Sequence, residues 1–194
     1  CFTAQNIFYG RWEGGVPVSP SCNAQCLGSI SKQPSECCPS PQERIAFVPT
    51  VEEVVEIGLP HLATDEAILS FGQGCEGEPL LAGKVIKEAI TIMRRKTEAG
   101  TININTNAGL PMVLEELAIA GLNTARISLF SADPDYYRFY HQPQGYTLDH
   151  VGEAIRRLDR HGVFVSLNLL TLPGFTDQEA QVEKLFAFLR EYPM

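Results

Sequence analysis

The sequence predicts an α/β fold in which helices pack on a parallel β-sheet. Short apolar strand-like runs alternate with segments whose apolar residues recur at helical spacing, and glycines separate several of them. Strands are expected at 16–18, 67–71, 102–105, 125–129 and 163–170. Because helical segments come between these strands, the strands should run parallel with right-handed crossovers. Two architectures remain open at this stage, a doubly wound sheet and a βα barrel.

Local signals place the helix boundaries. Thr50 with Glu53 three residues later has the pattern of a capping box, which starts a helix. Pro111 is expected to open a later helix, since the first helical position needs no backbone N–H. Thr176 with Glu179 predicts the start of the last helix.

Composition narrows the function classes. The chain has 194 residues and a net charge of −8, and its one compact basic run is 94–96. This balance disfavours nucleic-acid binding, which needs a basic surface, and favours a small-molecule, peptide or protein substrate. No apolar run approaches the length of a membrane span, so a soluble, cytoplasmic protein is expected. We expect a core domain over 16–194, with 1–15 packed against it and both ends cut from a longer chain.

The cysteines favour metal binding over disulfides. There are six of them, and four lie within residues 22–38. Such crowding in a chain of this size is more typical of a metal site in a reducing compartment than of a disulfide-stapled scaffold. Taken alone, Cys22 and Cys26 could equally be buried thiols or half of a zinc site.

The loop after the first expected strand reads Ser-Cys-Asn-Ala-Gln-Cys-Leu-Gly-Ser over residues 21–29. It resembles the cluster loop of the radical S-adenosylmethionine (SAM) superfamily, in which three cysteines are spaced C-x3-C-x2-C. Cys22 and Cys26 match the first two, whereas Ser29 stands at the third. The resemblance implies a [4Fe–4S] cluster whose fourth iron binds SAM, and cleavage of SAM to a 5′-deoxyadenosyl radical.

Ser29 departs from the family pattern, because a serine hydroxyl is a poor ligand for iron. Three explanations compete: an inactivating change at this position, a third thiolate from Cys37 or Cys38, or a degenerate relative of the family. The first is favoured, since the neighbouring residues keep the family pattern and serine differs from cysteine by one atom.

The turn after the second expected strand carries a second family motif. Gly77-Glu78-Pro79 resembles the Gly-Gly-Glu-Pro motif that receives the SAM amino group. Glycine lets the backbone approach a ligand closely, and carbonyls with a carboxylate suit an ammonium group. A glycine-rich turn alone would be weak evidence, but this one lies at a strand end and in the family's order.

Later strand ends resemble further family contacts to SAM. Thr106 and Asn107 match a Thr-Asn-Gly motif, although they could simply cap a turn. Ser128 matches the serine in the Arg-x-Ser-Leu-Asp-Ser stretch of molybdenum-cofactor-biosynthesis-type members, where Phe130 stands in place of the Asp. The resemblance implies that Ser128 binds the SAM carboxylate. Asn168 matches a ribose contact. Aromatic packing is the preferred role of residues 136–141.

The resemblance runs from about residue 16 to 177 and favours a partial, TIM-barrel-like βα barrel. Five units are visible, and the sixth strand is expected beyond Met194. It implies an enzyme that needs a reductase or a flavodoxin-like electron donor. Two rivals remain: a degenerate barrel that binds SAM or a partner without catalysis, and a zinc protein using Cys22, Cys26, Cys37 and Cys38.

Overall fold

A computed structural model of the chain describes residues 2–32, 40, 42–192 and 194. Its strands form one five-stranded sheet in which every neighbouring pair is parallel. The α/β fold predicted from the sequence is therefore confirmed. The strands are β1 (Glu13–Gly15), β2 (Ile68–Phe71), β3 (Thr101–Thr106), β4 (Thr124–Leu129) and β5 (Phe164–Leu169).

The order of the strands decides between the two architectures. They lie side by side as β1-β2-β3-β4-β5, in the order in which the chain forms them. A doubly wound sheet would reverse its order at a switch point, whereas a barrel is wound in one direction. The sheet is thus the wall of a partial βα barrel.

The sheet is curved. Arg126 on β4 forms an ion pair with Glu13 on β1, with 2.5 Å between Nη1 and Oε1. These strands are three inter-strand spacings apart, about 14 Å in a flat sheet. The contact therefore closes across the concave face. Ser70 donates to Glu13 and Asn103 donates to Ser70 on the same face, which makes the barrel interior polar.

Most of the helices pack around the convex face of the sheet, and the fifth lies at the carboxyl ends of the strands, where its last residues line the site described below. Their bounds are α1 (Phe2–Phe8), α2 (Val51–Leu62), α3 (Gly83–Lys96), α4 (Pro111–Ala120), α5 (Pro134–His141), α6 (Leu148–Arg160) and α7 (Glu179–Glu191). The capping box of α2 is present, and Pro111 is the first residue of α4. Apolar strand side chains such as Phe71, Ile104 and Ile127 are fully buried beneath the helices.

Three elements differ from their predictions. The first strand covers Glu13–Gly15 and not the expected residues 16–18, because Pro17 has no N–H to donate to a neighbouring strand. The division expected at residue 15 therefore falls at the end of this strand. Residues 134–141 form the helix α5, which was not predicted. Thr176 does not cap α7, because its hydroxyl closes a turn by accepting from the Leu172 N–H at 2.7 Å.

Candidate cofactor site

A cavity of about 550 Å³ lies at the carboxyl ends of the strands. This volume is within the range of about 300–1,000 Å³ that is usual for small-molecule sites. Every site residue predicted from the sequence lines the cavity except Pro79, which is buried at the start of a 3-10 turn. The lining members of that set are Cys22, Cys26, Ser29, Gly77, Glu78, Thr106, Asn107, Ser128 and Asn168.

Backbone hydrogen bonds join the first half of the cysteine loop to the turn after β2. The Gly77 N–H donates to the Ser19 carbonyl at 2.7 Å, and the Glu78 N–H donates to the Ser21 carbonyl at 2.8 Å. The buried carboxylate of Glu76 accepts from the N–H groups of Val18 and Ser19 at 2.9 and 3.1 Å. The two segments therefore form one unit. We call this contact the loop–turn pairing.

Gly77 is required by how closely the two segments approach. A Cβ at this residue would lie 1.9 Å from the Ser21 carbonyl oxygen and 3.0 Å from the Cys22 nitrogen. Both neighbours are backbone atoms, which cannot swing aside as a flexible side chain can. The sequence analysis attributed this glycine to contact with a ligand, whereas the structure shows that it first allows the cysteine loop to pack.

The Glu78 side chain forms its hydrogen bonds within the protein. Its carboxylate is buried and accepts from the Leu80 N–H at 3.1 Å, the Asn107 N–H at 2.9 Å and the Thr106 hydroxyl at 2.5 Å. The carboxylate therefore ties the turn after β2 to the end of β3. An ammonium group at the turn would meet backbone carbonyls more readily than this carboxylate.

The second half of the cysteine loop is held by the end of α5. The N–H groups of Gln25 and Leu27 donate to the carbonyls of His141 and Tyr140 at 3.0 and 3.1 Å. A Cβ on Gly28 would lie 2.5 Å from the Tyr140 hydroxyl oxygen. This contact could not be predicted from the sequence, because no spacing rule relates residues 25–28 to an aromatic helix more than a hundred residues later.

Cys22 and Cys26 are free, partly buried thiols at the cavity. Burial raises the pKa of Cys22, and it raises the pKa of Cys26 to about 11. Both thiols are therefore protonated at neutral pH until a bound cation displaces the protons. The Cys26 Sγ lies 3.2 Å from Nδ1 of His141.

The third ligand position holds the Ser29 hydroxyl, which accepts from the Lys32 N–H at 3.3 Å. Within residues 2–32, 40, 42–192 and 194, no three His, Cys, Asp or Glu side chains are grouped to hold a metal ion. Cys37 and Cys38, the alternative sources of a third thiolate, lie outside the described residues. Cys75 is disulfide-bonded, so the disulfide interpretation that the sequence disfavoured holds for that residue.

Ser128 and Asn168 are register partners near the ends of β4 and β5, and both line the same cavity as Cys22 and Cys26. Phe130, which replaces the expected acidic residue, stacks on Tyr140 with 4.3 Å between ring centroids. The strand-end residues and the cysteine loop thus surround one space.

The sequence model described as the radical SAM superfamily matches residues 16–186. The chain belongs to this superfamily. A curated relative, GTP 3′,8-cyclase of Alkaliphilus oremlandii (strain OhILAs), is 28% identical over 169 residues, which are 86% of the chain and 49% of that protein.

Solved structures share the fold of this radical SAM domain. Native anSMEcpe with bound AdoMet superposes with a TM-score of 0.63 at 18% identity, over 91% of the chain and 47% of that structure. Streptococcus suis SuiB bound to S-adenosylmethionine gives 0.60 at 18% identity, over 92% of the chain and 38% of that structure. The chain thus spans about half, or less, of the lengths of these relatives.

The radical SAM family implies a [4Fe–4S] cluster and SAM as cofactors. The cavity fits SAM in volume, and two free thiols at its edge suit iron, with Ser29 in place of the third. Among the described helices of this radical SAM domain, none is both long and apolar enough to cross a membrane.

We expect Gly77→Ala to open the loop–turn pairing, because the added methyl collides with the backbone of Ser21. The free energy of unfolding should fall by about 1–3 kcal/mol, the usual cost of overpacking. Alkylation of Cys22 and Cys26 should become faster. The control is Gly162→Ala, where a φ of 68° strains an alanine but the Cβ would meet no atom within 4 Å, so this variant should lose stability without faster labelling of the two cysteines. If both variants gave the same labelling rates, the steric argument would be wrong.

A second prediction concerns pH. Burial raises the pKa of the Glu76 and Glu78 carboxyls from 4.5 to about 7. In the unfolded chain both ionise near their ordinary value, so unfolding releases protons between about pH 4.5 and 7. The stability contributed by these groups is therefore greatest at low pH and is lost as pH rises through this window.

We expect Glu78→Gln, which stays neutral, to flatten the loss of stability between pH 5 and pH 8 in urea unfolding. Glu116→Gln, at an exposed carboxyl, is the control and should leave the slope unchanged. A wild-type slope that Glu78→Gln leaves intact would contradict the assignment.

Proposed function

We propose that this chain is the cofactor-binding domain of a radical SAM enzyme that generates a 5′-deoxyadenosyl radical from SAM. The observation that carries the proposal is the loop–turn pairing. It fixes two thiols beside a glycine turn at the mouth of a curved parallel sheet. Two cofactors that must touch each other need two such elements held at a fixed separation.

In this proposal Cys22, Cys26 and the side chain at position 29 face the cluster. The backbone carbonyls of the Gly77-Glu78-Pro79 turn receive the amino group of SAM, with the Glu78 carboxylate positioning the turn rather than binding. The cluster, when bound, would supply the electron that cleaves the sulfonium of SAM. The protein's own part is to orient the cofactors and keep water away.

Thr106, Asn107, Ser128 and Asn168 are proposed to contact the rest of SAM. The Thr106 hydroxyl is oriented by its hydrogen bond to Glu78, and the Asn107 side-chain amide by its hydrogen bond to Asn23, 2.7 Å away. Ser128 and Asn168 lie opposite them, on β4 and β5, and offer a hydroxyl and an amide. Such neutral groups suit the carboxylate and ribose hydroxyls of SAM.

The substrate would meet the radical inside the barrel. The concave face below the cavity carries the Glu13–Arg126 pair and the amide of Asn103, so a polar substrate suits it. A curated relative is a GTP 3′,8-cyclase, but at 28% identity this leaves the substrate of the present chain open. We propose a reductase or flavodoxin-like electron donor and a cytoplasmic location, in which Cys22 and Cys26 stay reduced while the disulfide of Cys75 is protected by burial of that residue.

Ser29 favours a second candidate function, a barrel that binds SAM or a partner without cleaving SAM. A hydroxyl at the third ligand position holds iron poorly. A cluster held by two thiolates would be lost easily, and the cavity and turn could still bind SAM. The four-cysteine zinc site is ranked last, because it explains none of the strand-end residues.

The test compares wild-type protein with Ser29→Cys after anaerobic reconstitution with iron and sulfide. We expect the Cys variant to hold about four irons and, with SAM and dithionite, to form 5′-deoxyadenosine. Wild-type protein should hold less iron and form at least tenfold less product. Cys22→Ala in the Ser29→Cys background is the matched control and should lose the cluster.

The other outcomes separate the alternatives. Equal activity of wild-type protein would assign the third thiolate to Cys37 or Cys38. Zinc at one ion per chain, without colour, would favour the four-cysteine site. If neither protein bound iron, the catalytic proposal would be wrong, and SAM binding by calorimetry would then test the non-catalytic barrel.

A further inference from the structure

Arg44 brings a positive charge to the cavity that holds Cys22 and Cys26. It lines both that cavity and a smaller one of about 260 Å³, which the two cysteines also line. Burial lowers the pKa of His141 to about 4, so its imidazole is neutral at physiological pH. Among the described residues that line the larger cavity, Arg44 is therefore the one that carries a positive charge.

Two hydrogen bonds attach Arg44 to the loop–turn pairing. Its Nε–H donates to the Ser31 hydroxyl oxygen at 2.9 Å, and that hydroxyl donates to the Glu76 carbonyl at 2.9 Å. Ser31 is buried, so both bonds are shielded from water. The guanidinium is thereby held two hydrogen bonds away from the residue that precedes the turn 77–79.

The rest of the guanidinium is available to a ligand. Within the described part of the chain, neither Nη nitrogen of Arg44 has a hydrogen-bond partner, and no carboxylate pairs with it. Arg126 is different, since both of its Nη groups donate to Glu13. A guanidinium presents its donors as a planar fork that matches the two oxygens of a carboxylate. A half-buried fork of this kind favours binding of an anion.

The charge of Arg44 acts on the two thiols as well. Burial raises the pKa of Cys22 and of Cys26, and the positive charge of Arg44 opposes that rise at both. With Ser29 at the third ligand position, the guanidinium supplies this region with a positive charge that does not depend on a bound metal.

We propose that Arg44 binds the carboxylate at the amino-acid end of SAM, and that it does so in the chain as it stands, without a cluster. This inference rests on the SAM-binding part of the proposed function. The amino and carboxylate groups of SAM are attached to one carbon, so their partners must lie close together. The carbonyls of the turn 77–79 accept from the amino group, and the Arg44 fork donates to the carboxylate. Ser128 adds a hydroxyl to the same carboxylate but carries no charge.

The experiment is isothermal titration calorimetry of the wild-type chain and of Arg44→Gln, both treated with EDTA and not reconstituted. Each protein is titrated with SAM and with decarboxylated SAM, which keeps the amino group and lacks the carboxylate. For Arg44→Gln we expect the Kd of SAM to rise about tenfold or more, as is usual when a hydrogen bond to a charged group is lost. The Kd of decarboxylated SAM should stay unchanged.

Two further variants make the comparison specific. Arg156→Gln is the control, because Arg156 pairs with Glu191 on the surface and lines neither cavity, and it should leave both Kd values unchanged. Arg44→Lys keeps the charge and loses the fork, so it should weaken SAM binding less than Arg44→Gln does. It takes the place of Arg44→Gln if thermal unfolding shows that the Gln variant is not folded.

Each outcome decides the assignment. Unchanged SAM affinity in Arg44→Gln would overturn it, and an equal loss of affinity for both ligands would show a purely structural role. Equal affinity of the wild-type chain for the two ligands would also contradict it. If the wild-type chain binds neither ligand, the Arg44 inference is wrong, while the Ser29→Cys reconstitution decides the proposed function separately.

Discussion

The loop–turn pairing is the constraint on which the rest of the site depends. A loop with two free cysteines has many conformations, and fixing each residue costs about 1–2 kcal/mol of backbone entropy. Here the Ser19 and Ser21 carbonyls accept hydrogen bonds from the turn after β2. The Glu76 carboxylate accepts two more hydrogen bonds, from the N–H groups of Val18 and Ser19. The thiols are thereby positioned before any cofactor binds.

The pairing uses two buried carboxylates, and among the described residues neither forms an ion pair. Glu76 and Glu78 accept backbone and hydroxyl hydrogen bonds instead, and burial raises the pKa of both. Burying such groups opposes folding unless their hydrogen bonds are satisfied. Their presence indicates that the site gives up some stability to keep the cysteine loop, the turn after β2 and the end of β3 in one arrangement.

Much of the fold follows from local sequence signals. The parallel sheet was predictable from the alternation of strands and helices, and the capping box at Thr50 from two residues alone. The motif residues were predictable as a set, because strand ends in a βα barrel converge on one edge. Individual roles were not, since two of the groups that donate to the Glu78 carboxylate, Thr106 and Asn107, come from the end of β3 and its following turn, and the sequence does not contain their distances.

The contact between Cys26 and His141 marks the limit of sequence reasoning. The residues are 115 positions apart, and the helix that carries His141 has only eight residues and is rich in aromatic side chains. Thr176 shows the same limit on a smaller scale, because a cap and a turn-closing hydroxyl have the same sequence pattern. In both cases tertiary contacts decide between locally equivalent arrangements.

The central claim is that the cysteine loop and the turn after β2 form one site in which the two cofactors touch. The most direct measurement is electron–nuclear double resonance on the reduced, reconstituted Ser29→Cys protein with SAM labelled with ¹⁵N at its amino group. Coupling between that nitrogen and the cluster spin is the predicted result. A cluster that assembles fully but shows no such coupling, with SAM at saturating concentration, would contradict the account.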